Sequence, residues 1–480
     1  MKHSYLKSAL WLACLAGLAG SIPELPAQTG KDKPRTVELT LEPAPEPNPA
    51  FAYRLHVTVP NREPGNAAQS YYRAITLLPN QPTDTNWDHF VELLTTNVAI
   101  LRSKSSEPLP QSALRELHTA AHRQYCLWDF PMKDGFSLLL PELARFKKLG
   151  QAVALQARFQ IANRQWEDAL ESLTAGLALG HDTSLGSPLI NGLVGIAIGQ
   201  IMLNQVEEFV QQPGAPNLYW ALTALPSPLV DLRLSMEWEN EWLFHQFPEL
   251  REIEKKVLSA KEASRLLRKL PTLMNGQEFN EEADNDWHAN AAATAFVAVF
   301  YPLAKKTLLQ QGFAEQTLDS FPAAQVTLIH GLRVFQHYSQ NSLKWAYVPY
   351  RQAASANRSA ELEKLAATSD LNEKLIGAPA MLLLPALGRA HLNSALLERN
   401  FALLRCVEAI RMHASQNQGK LPGSLQEIQA VPVPDNPITG SPFQYKIEGG
   451  KAFLEAASPP GEAARKGLKY VITINATTTK

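Results

Sequence analysis

A chain of 480 residues, 45% hydrophobic and 19% charged, with a formal net charge of −1, excludes several classes at once. It is too apolar for a disordered chain and too evenly charged for an electrostatic nucleic-acid binder. Its three cysteines are too few for a disulfide scaffold, and its length suffices for more than one hydrophobic core.

The first 27 residues read as a secretory signal peptide. Lys2, His3 and Lys7 make a basic start, Ala9 to Gly20 is an uncharged apolar run, and the small residue Ala27 stands at a cleavage point. The run is too short for a membrane span. Few apolar residues precede Cys14, and Trp11 fits a lipobox poorly, so ordinary cleavage is expected, with export to the periplasm or beyond. Cleavage leaves Cys126 and Cys406, which either pair or stay free in an oxidising compartment.

Residues 28–62 read as a leader and two short strands. "TVELTL" (36–41) sets Val37, Leu39 and Leu41 on one face. "AYRLHVTV" (52–59) does the same with Tyr53, Leu55, Val57 and Val59, after a proline-rich loop. Asn66 then stands as an N-cap, and a helical period holds to about Ser415. Residues 63–415 are therefore expected to form a large all-α domain. Residues 416–480 are expected to form a small β subdomain, so the fold class is mainly α with a C-terminal antiparallel β region.

Within the helical domain, "LRELHTAAHRQYC" spaces His118, His122 and Cys126 at successive i, i+4 steps. On one helix they share a face, and His and Cys are good zinc ligands. Three in a row on a straight helix span too far for one ion, so two at most would bind together, with a further ligand from elsewhere. The structural alternative is a polar stripe ending at a buried Cys, and no metal or other cofactor is assigned.

Residues 151–182 predict two helices joined near Asn163-Arg164-Gln165, with Trp166, Ala169, Leu173 and Leu177 on one face of the second. This is a tetratricopeptide-like hairpin, present once rather than as an array. The uncharged stretch 183–206 is long enough to cross a membrane. Its Asn191, Gln200, Asn204 and Gln205 point instead to a central helix buried in protein. The same buried reading is given to "NAAATAFVAVFYPLA" (290–304) and "IGAPAMLLLPALG" (376–388).

Residues 217–250 gather Tyr219, Trp220, Trp238, Trp242, Phe244 and Phe247, for which core packing is preferred to a ligand groove. The acidic run 278–288 has no Gly at a bend, so a solvated helix start is preferred to a calcium loop. The chain contains no G-x-S-x-G, no G-x-x-x-x-G-K-[ST], no H-E-x-x-H and no G-x-G-x-x-G.

Taken in order, "NAAQSYYRA", "ARFQIANRQWEDALESLTAGLALGHD", "PNLYWALTALPSPLVDLR" and "EAIRMHASQNQGKLPGSLQEI" resemble an uncharacterised family of large exported bacterial helical proteins. The resemblance covers most of the mature chain and brings no activity and no site residues with it. The "G-K-x-P" turn and the "P-x-x-G-x-P-x-x-Y" passage also look like the C-terminal part of type II secretion pseudopilins. Asn436 stands where that pattern has Asp.

Read physically, the terminal segment is a series of folding signals. Gly419 stops a helix, Ser424 and Glu427 form a capping box, and "VPVP" is extended. Gly449-Gly450 makes a primed turn pairing Glu448 with Lys451, Ile447 with Ala452, Tyr445 with Leu454 and Phe443 with Ala456. "GLKYVITI" (467–474) adds a third strand. The Asp435–Gly440 turn needs no ligand.

The functional expectation is a non-catalytic, exported cell-envelope protein that binds or scaffolds through helical surfaces. Its partner would be another envelope protein or a peptide, not nucleic acid. A metal-dependent envelope hydrolase using His118 or His122 is the alternative.

Overall fold

The computed structural model describes residues 33–79, 85–102, 109–129, 141–274, 287–355 and 371–475. The signal-peptide residues and most of the acidic run 278–288 lie outside them. The protein is mainly α with a small β region. In chain order the N-terminal elements are β1 (Arg35–Leu41), β2 (Glu63–Asn66), α1 (Ala67–Leu77), α2 (Thr85–Leu93), α3 (Val98–Leu101), α4 (Gln111–Ala121) and β3 (Arg123–Tyr125). The centre holds α5 (Pro141–Ala162), α6 (Trp166–Ser184), α7 (Leu189–Val210), α8 (Tyr219–Thr223), α9 (Arg233–Gln246) and α10 (Ala260–Met274). Then come α11 (Trp287–Gln310), α12 (Glu315–Ser320), α13 (Ala323–Leu343), α14 (Tyr350–Ser355) and α15 (Leu371–Gln416), followed by β4 (Gln444–Glu448), β5 (Lys451–Ala456) and β6 (Leu468–Ile474).

The helices α5, α6 and α7 pack on one another at the centre. The turn between α5 and α6 passes through Arg164, held left-handed at φ 60°. Ala169, Leu173 and Leu177 of α6 are buried, and Trp166 meets Phe209 edge-on at 5.2 Å. The backbones of α6 and α7 touch where they cross: a Cβ on Gly195 would lie 2.5 Å from the Gly180 carbonyl oxygen. Only glycine permits that approach. The long helix α15 then lies across α7 and α13.

The sheet runs in the order β1-β6-β5-β4, with β1 parallel to β6 and the other pairs antiparallel. The hairpin register is the one its turn predicts: Glu448 faces Lys451, Ile447 faces Ala452 and Tyr445 faces Leu454. Gly449 and Gly450 take φ of 57° and 77°, the two positive values a type I′ turn needs. Phe443 is buried just outside the ladder, which opens at Gln444. Leu39, Leu41, Leu454, Tyr470 and Ile472 join the same continuous core as the helices.

A fully buried ion pair ties the sheet end to the helices. Arg411 Nη1 donates to Glu408 Oε1 at 2.8 Å, Nη2 to the Ala215 carbonyl at 2.8 Å and Nε to the Glu42 carbonyl at 3.1 Å. Glu408 Oε2 accepts the Leu218 N–H.

Several expectations are corrected. Residues 52–59 form no strand: only Leu55 of the alternating set is buried, Val59 is exposed, and Pro60 turns Val59–Asn61 into a 3-10 turn. The unforeseen β2 and β3 pair in parallel just ahead of and behind α1 and α4. The capping box does not form: the Ser424 hydroxyl caps nothing, and Glu427 Oε2 accepts the N–H of Gly423 rather than that of Ser424. The stretch 183–206 is divided, since Thr183 and Ser184 end α6 and the helix breaks before Pro188; its remainder lies in the core helix α7, 83% buried over its apolar window. The helix containing 290–304 is not a core helix, because only 17% of its apolar window is buried.

Candidate functional site

The histidine–cysteine series does not share a helix face. The helix α4 stops at Ala121, His122 caps its end, and Cys126 lies past β3. His122 Nδ1 bonds the His118 carbonyl at 2.9 Å, while His118 meets Glu171 at 3.5 Å and Gln156 at 3.4 Å. Among the described residues, no group of three or more His, Cys, Asp or Glu is placed to hold a metal ion. Cys126 and Cys406 are both free, and burial holds each thiol well above its ordinary pKa. Neither presents a thiolate for nucleophilic chemistry.

Cys126 instead borders a polar cluster that sequence reading missed. Asp182, near the end of α6, accepts the Tyr71 hydroxyl at 2.8 Å, and the Trp128 indole donates to the Asp182 carbonyl at 2.6 Å. Burial pushes the Asp182 carboxyl up, opposed by His181 and by the Tyr71 hydrogen bond. Tyr71 stacks on Trp128 at 5.7 Å. The carboxylate thus staples α1 to α6 behind a wall of rings. The bordering Cys126 is held as a thiol by burial and His181 Nδ1 bonds the Leu229 carbonyl, so the arrangement is that of a packed hydrogen-bond network.

The second charged cluster lies where α7 meets the sheet. Glu207 is 2% exposed, accepting Tyr470 Oη at 2.5 Å and Arg35 Nη2 at 2.7 Å. Arg158 of α5, 1% exposed, donates to Gln205 Oε1 at 3.0 Å and the Thr96 carbonyl at 2.6 Å, and pairs with Glu208 at 3.4 Å. Arg35, Arg158, Glu207 and Glu208 line a groove of about 560 Å³ along β1. Thr95, Asn97, Val98, Ala99 and the chain after α7 line it too. The sequence signal was Arg158, the one charge in the otherwise uncharged second half of α5 (149–162).

The remaining candidates resolve into structure. Tyr219, Phe244 and Phe247 are buried in the core, and Trp220 donates to Glu46 at 2.6 Å. A second depression of about 500 Å³ is lined by Arg333 and Glu254, which already pair at 2.7 Å. In the Asp435–Gly440 turn, buried Asn436 accepts the Ile438 N–H on its side chain and the Gly440 N–H on its carbonyl, leaving no open cradle. Comparison with family models, curated proteins and solved structures found no match.

Proposed function

We propose that this is a non-catalytic, exported cell-envelope protein that binds or scaffolds through helical surfaces. The observation that carries the reading is α11. One side of this helix packs Phe300, Ala304 and Leu308 inward, with α13 as its main neighbour. The other side presents Ala291, Ala295, Ala298 and Val299, the last 59% exposed. A long helix with so few charges and so much open apolar surface gains by covering it with a partner. The polar clusters, by contrast, are satisfied by neighbours within the fold and offer no open reactive group. The partner suited to this surface is an apolar face of another envelope component.

Envelope fractionation tests the proposal. The wild-type chain is expected to sediment with envelope material, and the Ala295→Glu/Val299→Glu variant to be released while keeping its helical circular dichroism. A wild-type protein found monomeric in the soluble exported fraction would overturn it.

A further inference from the structure

The outer edge of β1 is open, and its geometry can be derived atom by atom. Among the described residues, β1 has β6 on one side in the sheet and no strand on the other. Arg35 N donates to the Gly467 carbonyl at 3.1 Å, and the Leu41 carbonyl accepts from Asn475 N at 2.9 Å. These two bonds fix the phase of the parallel ladder, so residues 35, 37, 39 and 41 exchange hydrogen bonds with β6. In a parallel pair the N–H and C=O of one residue point the same way. Those of Thr36, Glu38 and Thr40 therefore point to the far edge. No turn, loop or side-chain group among the described residues bonds to them.

Natural sheets protect such an edge with proline, lysine, a bulge or a cover. From Thr36 to Leu41, "TVELTL" has no proline, lysine or glycine, and its pairing with β6 has no register break. The edge opens instead into the groove of about 560 Å³. Asn97 and Val98 line the same groove. Seven strand residues span roughly 20 Å, the reach of an extended peptide of similar length.

Charge selects the peptide. Arg35 is paired with Glu207 and Arg158 with Glu208. Glu38 is exposed, and no ion pair among the described residues neutralises it. The Glu42 carboxylate accepts the Gly214 N–H and, among the described residues, meets no cation. The residual charge along the strand is acidic. A second copy of β1 would set Glu38 near its own equivalent, a like-charge contact that disfavours self-pairing.

We infer that the outer edge of β1 is a strand-addition site for an extended, basic segment of a partner polypeptide, recognised through Thr36, Glu38 and Thr40 and by lysine or arginine side chains near Glu38 and Glu42. No residue of α11 takes part, so this site stands or falls apart from the reading above.

The test uses the full mature chain and a labelled seven-residue peptide alternating valine and lysine, with its valine–glutamate counterpart. Fluorescence anisotropy should show binding of the lysine peptide and at least about tenfold weaker binding of the glutamate one. Glu38→Pro removes one outward N–H without touching the β6 ladder, a position where proline is tolerated. It should weaken binding at least about tenfold, whereas Glu38→Gln should lose only the charge-dependent part. Hydrogen exchange gives a readout that needs no variant: the Thr36, Glu38 and Thr40 amides should exchange fast in the free chain and slow on peptide addition. Protection already present in the free chain, whether from a second copy or from the chain's own residues, would overturn the inference. So would failure of the lysine peptide to bind.

Discussion

Two helices of this protein look alike in sequence and end in opposite places. Both α7 and α11 contain windows long and apolar enough to cross a membrane, yet α7 is 83% buried over its window and α11 only 17%. The difference lies in what interrupts the apolar run. In α7 the interruptions are glycines at a helix crossing and polar side chains with fixed partners. Gln205 takes Arg158, Gln200 takes Asn204 and Asn400, and Glu207 takes Tyr470 and Arg35. In α11 they are two threonines, Pro302 and, toward its end, Lys305 and Lys306; Thr294 turns back to the Asn290 carbonyl of its own helix, and Lys305 pairs with Glu315 and Asp319. Hydropathy measures how strongly a helix avoids water; the pattern of special residues says what it avoids water against.

The largest effect is expected where α7 carries its buried charge. Glu207→Ala strands the buried Tyr470 hydroxyl and removes the partner of Arg35. Breaking a buried pair costs about 3–5 kcal/mol, and the cost here should fall at the low end because Arg35 keeps some contact with water. Urea denaturation measures it, and a loss below about 1 kcal/mol would mean the cluster is not structural. Next comes the crossing. Gly195→Val drives a Cβ into the Gly180 carbonyl, where the obstacle is backbone and cannot rotate away. Overpacking of this kind costs about 1–3 kcal/mol. The same change at Gly388, whose Cβ position is open, should cost far less and serves as the control.

These two sites also mark how much was legible in advance. Local signals were readable: the Asn66 cap, the Asn163–Gln165 turn and the Gly449-Gly450 register each depend on residues a few positions apart. The crossing of Gly195 on the Gly180 carbonyl joins two helices at a point no local pattern marks. Long-range joins were not readable. The seating of β1 on β6 unites the two ends of the chain, and the Tyr71–Asp182 and Arg35–Glu207 bonds join residues with no sequence signal linking them. The histidine–cysteine spacing misled because α4 ends at His122 without a Gly or Pro to announce the stop.

A pH dependence sharpens the contrast further, because the start of α7 meets a buried carboxyl. Glu239 of α9 is 7% exposed and accepts the Leu189 N–H at 2.9 Å. Burial pushes its pKa from 4.5 up to about 7, partly offset by that hydrogen bond. The folded state thus holds this proton more tightly than the unfolded chain. Its contribution is fully present below pH 4.5 and is lost as the pH rises toward about 7. Glu239→Gln keeps the acceptor and cannot ionise. It should match the wild type near the acid end and exceed it by up to about 3 kcal/mol at mildly alkaline pH. Equal pH profiles for the two proteins would show that the carboxyl is not the cause.

The smallest effect on stability is expected in α11, and there smallness is the informative result. Val299→Glu places a carboxylate on a side chain already 59% exposed, so it breaks no packing. A surface change of this kind shifts stability by no more than about 0.5 kcal/mol. If the open face of α11 is covered by a partner, the same substitution should nonetheless abolish envelope association, because a buried unpaired charge is costly at an interface. Stability unchanged and association lost would separate α11 from α7 by function rather than by composition: one apolar helix built to be covered by its own fold, the other by something else. A loss of several kcal/mol on Val299→Glu would place α11 back among the core helices and remove the surface on which the binding role rests.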